Sequence, residues 1–299
     1  MSSYRISLLC TALVLAAASG AARAQDAEDD DGFQTRGKLL LTGGVSQVEG
    51  AAGGGLTPWA VIGGYGTRDQ IGANAYYTKV NLDDYHLDSY GVLVGLYDRV
   101  ELSFSRQKFD TEAVGGALGL GNGFTFTQDT IGVKVKVAGD AVLEQDSWLP
   151  QIAVGAQFKK NDQAAVLAFV GARDDSGVDY YVSATKLYLA QSLLLNGTVR
   201  FTKANQFGIL GFGGDRNDSY RAQFEGSAAY LVNRNLAIGA EYRTKPDNLG
   251  IADEDDAWDV FVAWAPAKNV SLTVAYVDLG NIVIRDDQRG VYASLQVGF

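Results

Sequence analysis

The 299-residue chain carries 25 basic and 35 acidic residues, a formal net charge of −10, with one Cys, one His and one Met. So acidic a chain is a poor nucleic-acid binder. One cysteine excludes a disulfide framework, and one histidine leaves carboxylates as the only plentiful metal ligands.

In chain order, residues 1–24 read as an export signal. Arg5 supplies the positive start, Ile6 to Ala18 is an apolar run broken only by Ser7, Cys10 and Thr11, and Ala22-Arg23-Ala24 is a cleavage site of the A-x-A kind. The run is shorter than the ~20 residues a spanning helix needs. Cys10 sits inside it, badly placed for lipidation. Cleavage would remove the only Cys and Met, and Arg5 and Arg23 with them, leaving a more acidic mature chain. Residues 25–36 are acidic and lack periodicity, which predicts a disordered periplasmic leader.

From residue 37 the dominant period is two. Val100, Leu102 and Phe104 alternate with Glu101, Ser103 and Ser105, and Ile131, Val133, Val135 and Val137 alternate with Gly132, Lys134 and Lys136. Tyr220, Ala222, Phe224, Gly226, Ala228, Tyr230 and Val232 alternate with Arg221, Gln223, Glu225, Ser227, Ala229 and Leu231. Each such stretch predicts a strand with one apolar face. A soluble sandwich also alternates, but three features favour a transmembrane barrel. The stretches are long, where soluble strands usually run about 5–6 residues and tilted spanning strands ~9–11. Connections alternate between short and long. Tyr220 and Tyr230 share a face ten residues apart, roughly 25 Å along the membrane normal, close to the height of the apolar band. After residue 24 no apolar run reaches spanning length, so a membrane protein of this sequence must be a closed barrel.

The expected fold class is therefore all-β, a transmembrane antiparallel up-and-down β-barrel over residues 37–299. The strands fall at 37–46, 57–66, 70–82, 87–97, 99–109, 124–138, 148–159, 178–189, 193–203, 219–232, 235–245, 257–265, 270–278 and 289–299, about fourteen in all. The alternative is twelve strands, with the glycine-rich stretch at 43–55 folded inward as part of an N-terminal plug.

The C-terminus places Val291, Ala293, Leu295, Val297 and Phe299 on one face and ends on the aromatic. It resembles the assembly signal of outer-membrane barrels, which implies recognition by the barrel-assembly machinery. The stretch Gly37-Lys38-Leu39-Leu40-Leu41-Thr42-Gly43-Gly44, continuing through Gly53-Gly54-Gly55-Leu56-Thr57-Pro58-Trp59 and Gly63-Gly64-Tyr65-Gly66-Thr67, resembles an uncharacterised proteobacterial family catalogued only as a domain of unknown function. That resemblance implies an outer-membrane location and carries no activity.

Candidate chemistry is sparse. A Ser-His-Asp hydrolase would have to use His86, beside Asp88 and Ser89, and no nucleophile elbow surrounds them; an ordinary loop histidine is the plainer reading. Asp83-Asp84, Asp174-Asp175, Asp253-Glu254-Asp255-Asp256 and Asp286-Asp287 lie in expected outer loops. Carboxylate clusters suit hard divalent ions, which also bridge lipopolysaccharide phosphates, but the four-acid run lacks calcium-loop spacing and reads as a solvated loop. The glycines at 43–55 show no phosphate-loop pattern. No catalytic residue, metal or cofactor is expected.

The polar strand faces carry Glu101, Gln107, Lys134, Lys136, Arg200, Arg221, Gln223, Glu225, Glu241, Arg243 and Asp259, the expected lining of a lumen. Charges of both signs describe a wet or salt-bridged interior. The first expectation is a passive channel for small polar or anionic solutes, with the bases favouring anions. The alternatives are a non-conducting structural or surface-interaction barrel and a hydrophobic-ligand transporter. The expected setting is the Gram-negative outer membrane, amid lipid and lipopolysaccharide, with both termini periplasmic.

Overall fold

Strands with one apolar face and long ladders of unpaired amides must pair with neighbours of the same kind, and in a membrane the pairing has to close on itself. A computed structural model describes residues 37–299; the expected export signal and leader lie outside the described residues. Twelve antiparallel strands form a closed barrel. They are β3 (Ile71–Leu82), β4 (His86–Leu96), β5 (Val100–Asp110), β6 (Thr125–Ala138), β7 (Gln151–Asn161), β8 (Ser176–Tyr188), β9 (Leu193–Thr202), β10 (Arg221–Asn233), β11 (Leu236–Arg243), β12 (Ala257–Ala267), β13 (Val270–Asp278) and β14 (Arg289–Gly298). Each pairs with the strands before and after it. The barrel closes where β14 meets β3, with Tyr292 opposite Val80 and Gln296 opposite Tyr76.

At one end the connections are mostly tight. Tyr97 and Asp98 both take positive φ, 53° and 49°, the backbone of a type I′ hairpin turn. Lys38 and Phe299 lie at this same end, Lys38 against Asp98 of that turn and Phe299 paired with Ala73. The opposite end carries the long connections 111–124, 162–175, 203–220, 244–256 and 279–288. Two of these hold single turns of helix, α1 (Glu112–Ala117) and α2 (Ala164–Phe169).

Outward positions are largely apolar, and exposed on most strands: Ile71, Leu102, Ile131, Phe158, Val182, Leu195, Ile238, Val260, Val274 and Leu295 are among them. Val291, Ala293, Leu295, Val297 and Phe299 belong to this outer face of β14. Tyrosine and tryptophan gather toward the two rims, with Tyr180 against Tyr220 at 6.2 Å and Trp258 against Tyr276 at 5.9 Å between ring centroids. An all-round apolar surface of this extent cannot face water. With aromatic rims and no open sheet edge it is the exterior of a transmembrane β-barrel. No described helix is long and apolar enough to cross a membrane.

The strands expected at 37–46 and 57–66 are not part of the wall. Residues 37–66 run into the lumen as a plug, and the barrel has twelve strands, the alternative count. Within the plug, β1 (Val45–Ser46) and β2 (Ala52–Gly53) form a minimal hairpin. Every residue from Val45 to Gly64 is buried. A wall strand shows lipid one face and lumen the other, whereas this segment has protein on all sides. Glycine lets it fit. Gly50 closes the hairpin tip at φ +95°, and a Cβ there would sit 3.1 Å from the Cβ of Ser105. On the wall, a Cβ at Gly95 would run into the carbonyl oxygen of Gly63.

Candidate functional site

The inward wall positions and the plug meet in three polar clusters, the second and third joined through Leu56. The first is set by β5 and β6, which place Glu101 directly opposite Lys134. Both are 1% exposed. Lys134 Nζ lies 3.1 Å from Glu101 Oε1 and donates to the carbonyls of Ala52 at 2.8 Å and Val61 at 2.9 Å. Glu101 accepts from the amides of Ala52 at 3.0 Å and Gly63 at 2.8 Å. One wall ion pair thus bonds four backbone groups of the plug. Nearer the short-turn end, Lys136 and Lys38 share Asp98, Lys38 at 2.7 Å.

The second cluster surrounds Glu49, which the hairpin tip carries into the middle of the lumen. Its carboxylate accepts from Lys159 and from Arg243 Nη1 at 2.6 Å, and lies 3.8 Å from Arg200 Nη2. Lys159 and Arg200 also bind Asp179, at 2.6 and 3.3 Å, and Arg200 and Arg243 both bind Glu225. Arg243 stacks over Phe207 at 4.0 Å from its centroid. Three acids therefore face three bases, all almost fully buried. Burial pushes the Glu49 carboxyl up, but Arg243, Lys159 and Arg200 override it and hold it well below the ordinary carboxylate range.

In the third cluster Glu241 accepts from the Leu56 amide at 2.7 Å, the Thr57 hydroxyl at 2.5 Å and the Ser227 hydroxyl at 2.8 Å. Asp259 lies across from Glu241 on β12 and is buried, and its Oδ1 has no hydrogen-bond partner among the described residues. Trp59 seats its indole beside this cluster and donates to Ser227 at 2.9 Å.

Of the eleven expected lumen residues, Glu101, Gln107, Lys134, Lys136, Arg200, Gln223, Glu225, Glu241, Arg243 and Asp259 are buried inside the barrel. Gln107 accepts from Gln128 at 2.7 Å, and Gln223 accepts from Thr244. Arg221 differs from these ten: it is exposed at the long-loop end of β10, where it is the first residue of its strand, opposite buried Thr202. Three central residues are absent from that expected set: Glu49, Lys159 and Asp179. Lys159 and Asp179 follow from the alternation of β7 and β8 once Phe158 and Tyr180 face lipid. Glu49 has a quieter signal: with Lys38 it is one of only two charged residues between positions 37 and 66.

Above the plug the long loops fold inward. Phe207, Ile209 and Leu210 meet Val48 and Leu56 of the plug and Tyr85, Phe109, Leu279, Ile282 and Tyr292 of the wall and loops. The apolar cavity between them has a volume of about 20 Å³, as does a second one below, beside Trp59 and Phe261. Each suffices for about one water molecule. Lys245 and Glu254, 3.1 Å apart and 1% exposed, tie the loop at 244–256 across this cap, where Gln206 donates to Glu254 at 2.7 Å. His86 lies 3.2 Å from Glu112 on the outer rim, and no serine is among its hydrogen-bond partners in the described residues.

A closed membrane barrel whose own N-terminal segment fills the lumen is the class that fold and site define. The chain belongs to the family described as "Protein of unknown function (DUF3034)", whose model matches residues 42–296. This agrees with the resemblance read from residues 37–67 to a family without assigned activity. No curated protein matches the chain in sequence. Among solved structures the chain is similar to a KdgM porin, at 12% identity and a TM-score of 0.49 over 76% of this chain and 99% of that one. It is similar to a NanC porin at 11% identity and a TM-score of 0.47, over 77% and 98%. It is also similar to outer membrane phospholipase A from Escherichia coli at 10% identity and a TM-score of 0.41, over 79% and 94%.

Proposed function

We propose that the protein is a gated outer-membrane pathway for small polar or anionic solutes, shut at rest by residues 37–66. On this reading both termini are periplasmic and the long loops face outward. The carrying observation is the chemistry of the plug seat. A barrel closed for good gains little from burying ion pairs, since apolar residues of like volume stabilise as well or better. Here the plug is held through Glu49 by Lys159, Arg200 and Arg243, and through its backbone by Glu101 and Lys134. Those wall groups would be well solvated if water replaced the plug. Withdrawal of Glu49 would leave three bases facing Asp179 and Glu225, an excess of one positive charge at the level of this cluster, which favours anions.

The test is planar-bilayer current from the refolded mature protein in a salt gradient. The wild type is expected to be silent, and Glu49→Gln to give discrete steps whose reversal potential marks anion preference. Steady conductance of the wild type would show that the plug does not close the lumen. Silence of Glu49→Gln, with its plug shown to be loosened, would leave a structural barrel.

A further inference from the structure

The outer wall is not the same all the way round. Within four residues of the long-loop end, about 10 Å along the normal, each of β8–β13 places one aromatic outward: Tyr180, Phe201, Phe224, Tyr242, Trp258 and Tyr276. At the same height β3–β7 also carry charged outward side chains, alongside Tyr90 and Phe158. The ladder aligns the charges in two rows, Lys79–Asp88–Lys108 and Arg106–Asp129–Lys160. Elsewhere on the outward face the strand charges are already satisfied: Arg289 pairs with Asp278 at 2.7 Å, and Lys186 Nζ is held by the carbonyls of Glu144 and Leu149.

Two features of the charged rows point outward. Arg106 is held at the wall by two bonds to Asp129, both 2.6 Å, with Tyr90 as a further side-chain partner. Lys79 and Lys108 are exposed and make no ion pair among the described residues, although Asp88 stands between them in register; Asp88 instead accepts from Tyr77. Lys160 has Asp175 at 3.5 Å. An unpaired ammonium on a lipid-facing wall is unfavourable unless it reaches an interface or an anion. In a chain of net charge −10, a lipid-facing patch with excess positive charge is complementary to one class of neighbour.

We propose that the wall formed by β3–β7 binds the phosphate groups of a phosphorylated glycolipid in the surrounding leaflet. Lys79 and Lys108 supply the two ammoniums that engage the phosphates, and Arg106 is positioned by Asp129 to add a third contact. The aromatic wall opposite remains in contact with ordinary acyl chains and interface. The inference does not depend on whether the lumen conducts; it rests on the long loops facing the glycolipid leaflet.

The test reconstitutes the full mature chain in nanodiscs with either bisphosphorylated lipid A or its dephosphorylated form, in excess EDTA so that no divalent ion bridges the acidic loops. Retained lipid is counted by native mass spectrometry. The wild type is expected to retain the phosphorylated form preferentially, and the double variant Lys79→Gln/Lys108→Gln to lose about thirtyfold in affinity, as for two cations facing an anionic headgroup. Arg234→Gln, at the short-turn end, serves as the control and should behave as wild type. Inorganic phosphate should not compete at millimolar levels; if it does, the site takes free phosphate rather than lipid. Equal retention of both lipid forms, or an unchanged double variant that is folded by heat-modifiable mobility, would overturn the proposal. Protease accessibility of the long loops on intact cells tests the orientation separately.

Discussion

Glu49→Gln is the most informative single change. The native carboxylate is fully buried and is the one acid that the plug contributes to a cluster of three acids and three bases. Removing its charge leaves Lys159, Arg200 and Arg243 facing only Asp179 and Glu225, and an uncompensated buried charge costs about 3–5 kcal/mol. That cost falls on the docked plug, because Glu49 is the plug's own residue and the wall ladders do not use it. The equilibrium between docked and undocked plug should shift roughly 10²- to 10⁴-fold. Native-state hydrogen exchange reads this at the amides of Ala52 and Gly63, which bond Glu101, and of Leu56, which bonds Glu241. Their protection should fall by that factor while amides in β6 and β7 hold theirs. By contrast Ser46→Ala removes one hydrogen bond to Gln296 and should cost about 1 kcal/mol. If Glu49→Gln changes plug protection by no more than Ser46→Ala does, the charged latch is refuted.

Further changes probe the same seat. The bases depress the folded-state value of Glu49, so its stabilisation is fully present above 4.5, the exposed value, and is lost as pH falls below that toward the folded value. Exchange protection of the plug is therefore expected to be flat from about pH 8 to about pH 5 and to drop only in stronger acid. Lys134→Met should lower plug stability by about 3–5 kcal/mol by leaving Glu101 buried and unpaired, and Glu101→Gln in the same chain should restore part of it; the same exchange measurement decides. Trp59→Ala empties a well-packed position and removes a bond to Ser227, and should loosen the plug by about 3–5 kcal/mol. Arg221→Ala is exposed at the mouth and should leave plug protection and ion preference unchanged; a shift in reversal potential would place it on the conducting path.

Much of the wall was legible because lipid imposes a strict rule. Every second residue of stretches such as 131–137 and 270–276 meets acyl chains, and any charge there is expensive, so the alternation is nearly unbroken. The same rule identified the inward face and ten of its polar residues. The plug obeys no such rule. At 51–64 protein surrounds the chain on all sides, so small and apolar residues follow one another without period, and alternation gives only an apparent strand at 57–66. Its code lies in glycines at close contacts and in a lone acid. Pairing inside the lumen was legible only where the hairpin register supplies it, as for Glu225 opposite Arg243. The bonds from Glu49 to Arg243 and Lys159 join residues 194 and 110 positions apart and depend on the depth to which the plug descends, which sequence alone does not set. For Arg221 alternation gives the face of the strand but not its height, which is the exposed long-loop rim.

The most direct test locks the plug. The hydroxyls of Thr57 on the plug and Ser227 on β10 are 2.5 Å apart, close enough for cysteines in their places to bridge. The only native cysteine, Cys10, lies in the expected export signal. Bilayer current is then recorded from Glu49→Gln carrying Thr57→Cys and Ser227→Cys, first oxidised and then after reduction in the same chamber. The account predicts silence while the bridge holds and anion-preferring steps once it is reduced. Steady current through the oxidised protein, or none after reduction, would contradict the claim that residues 37–66 are the gate.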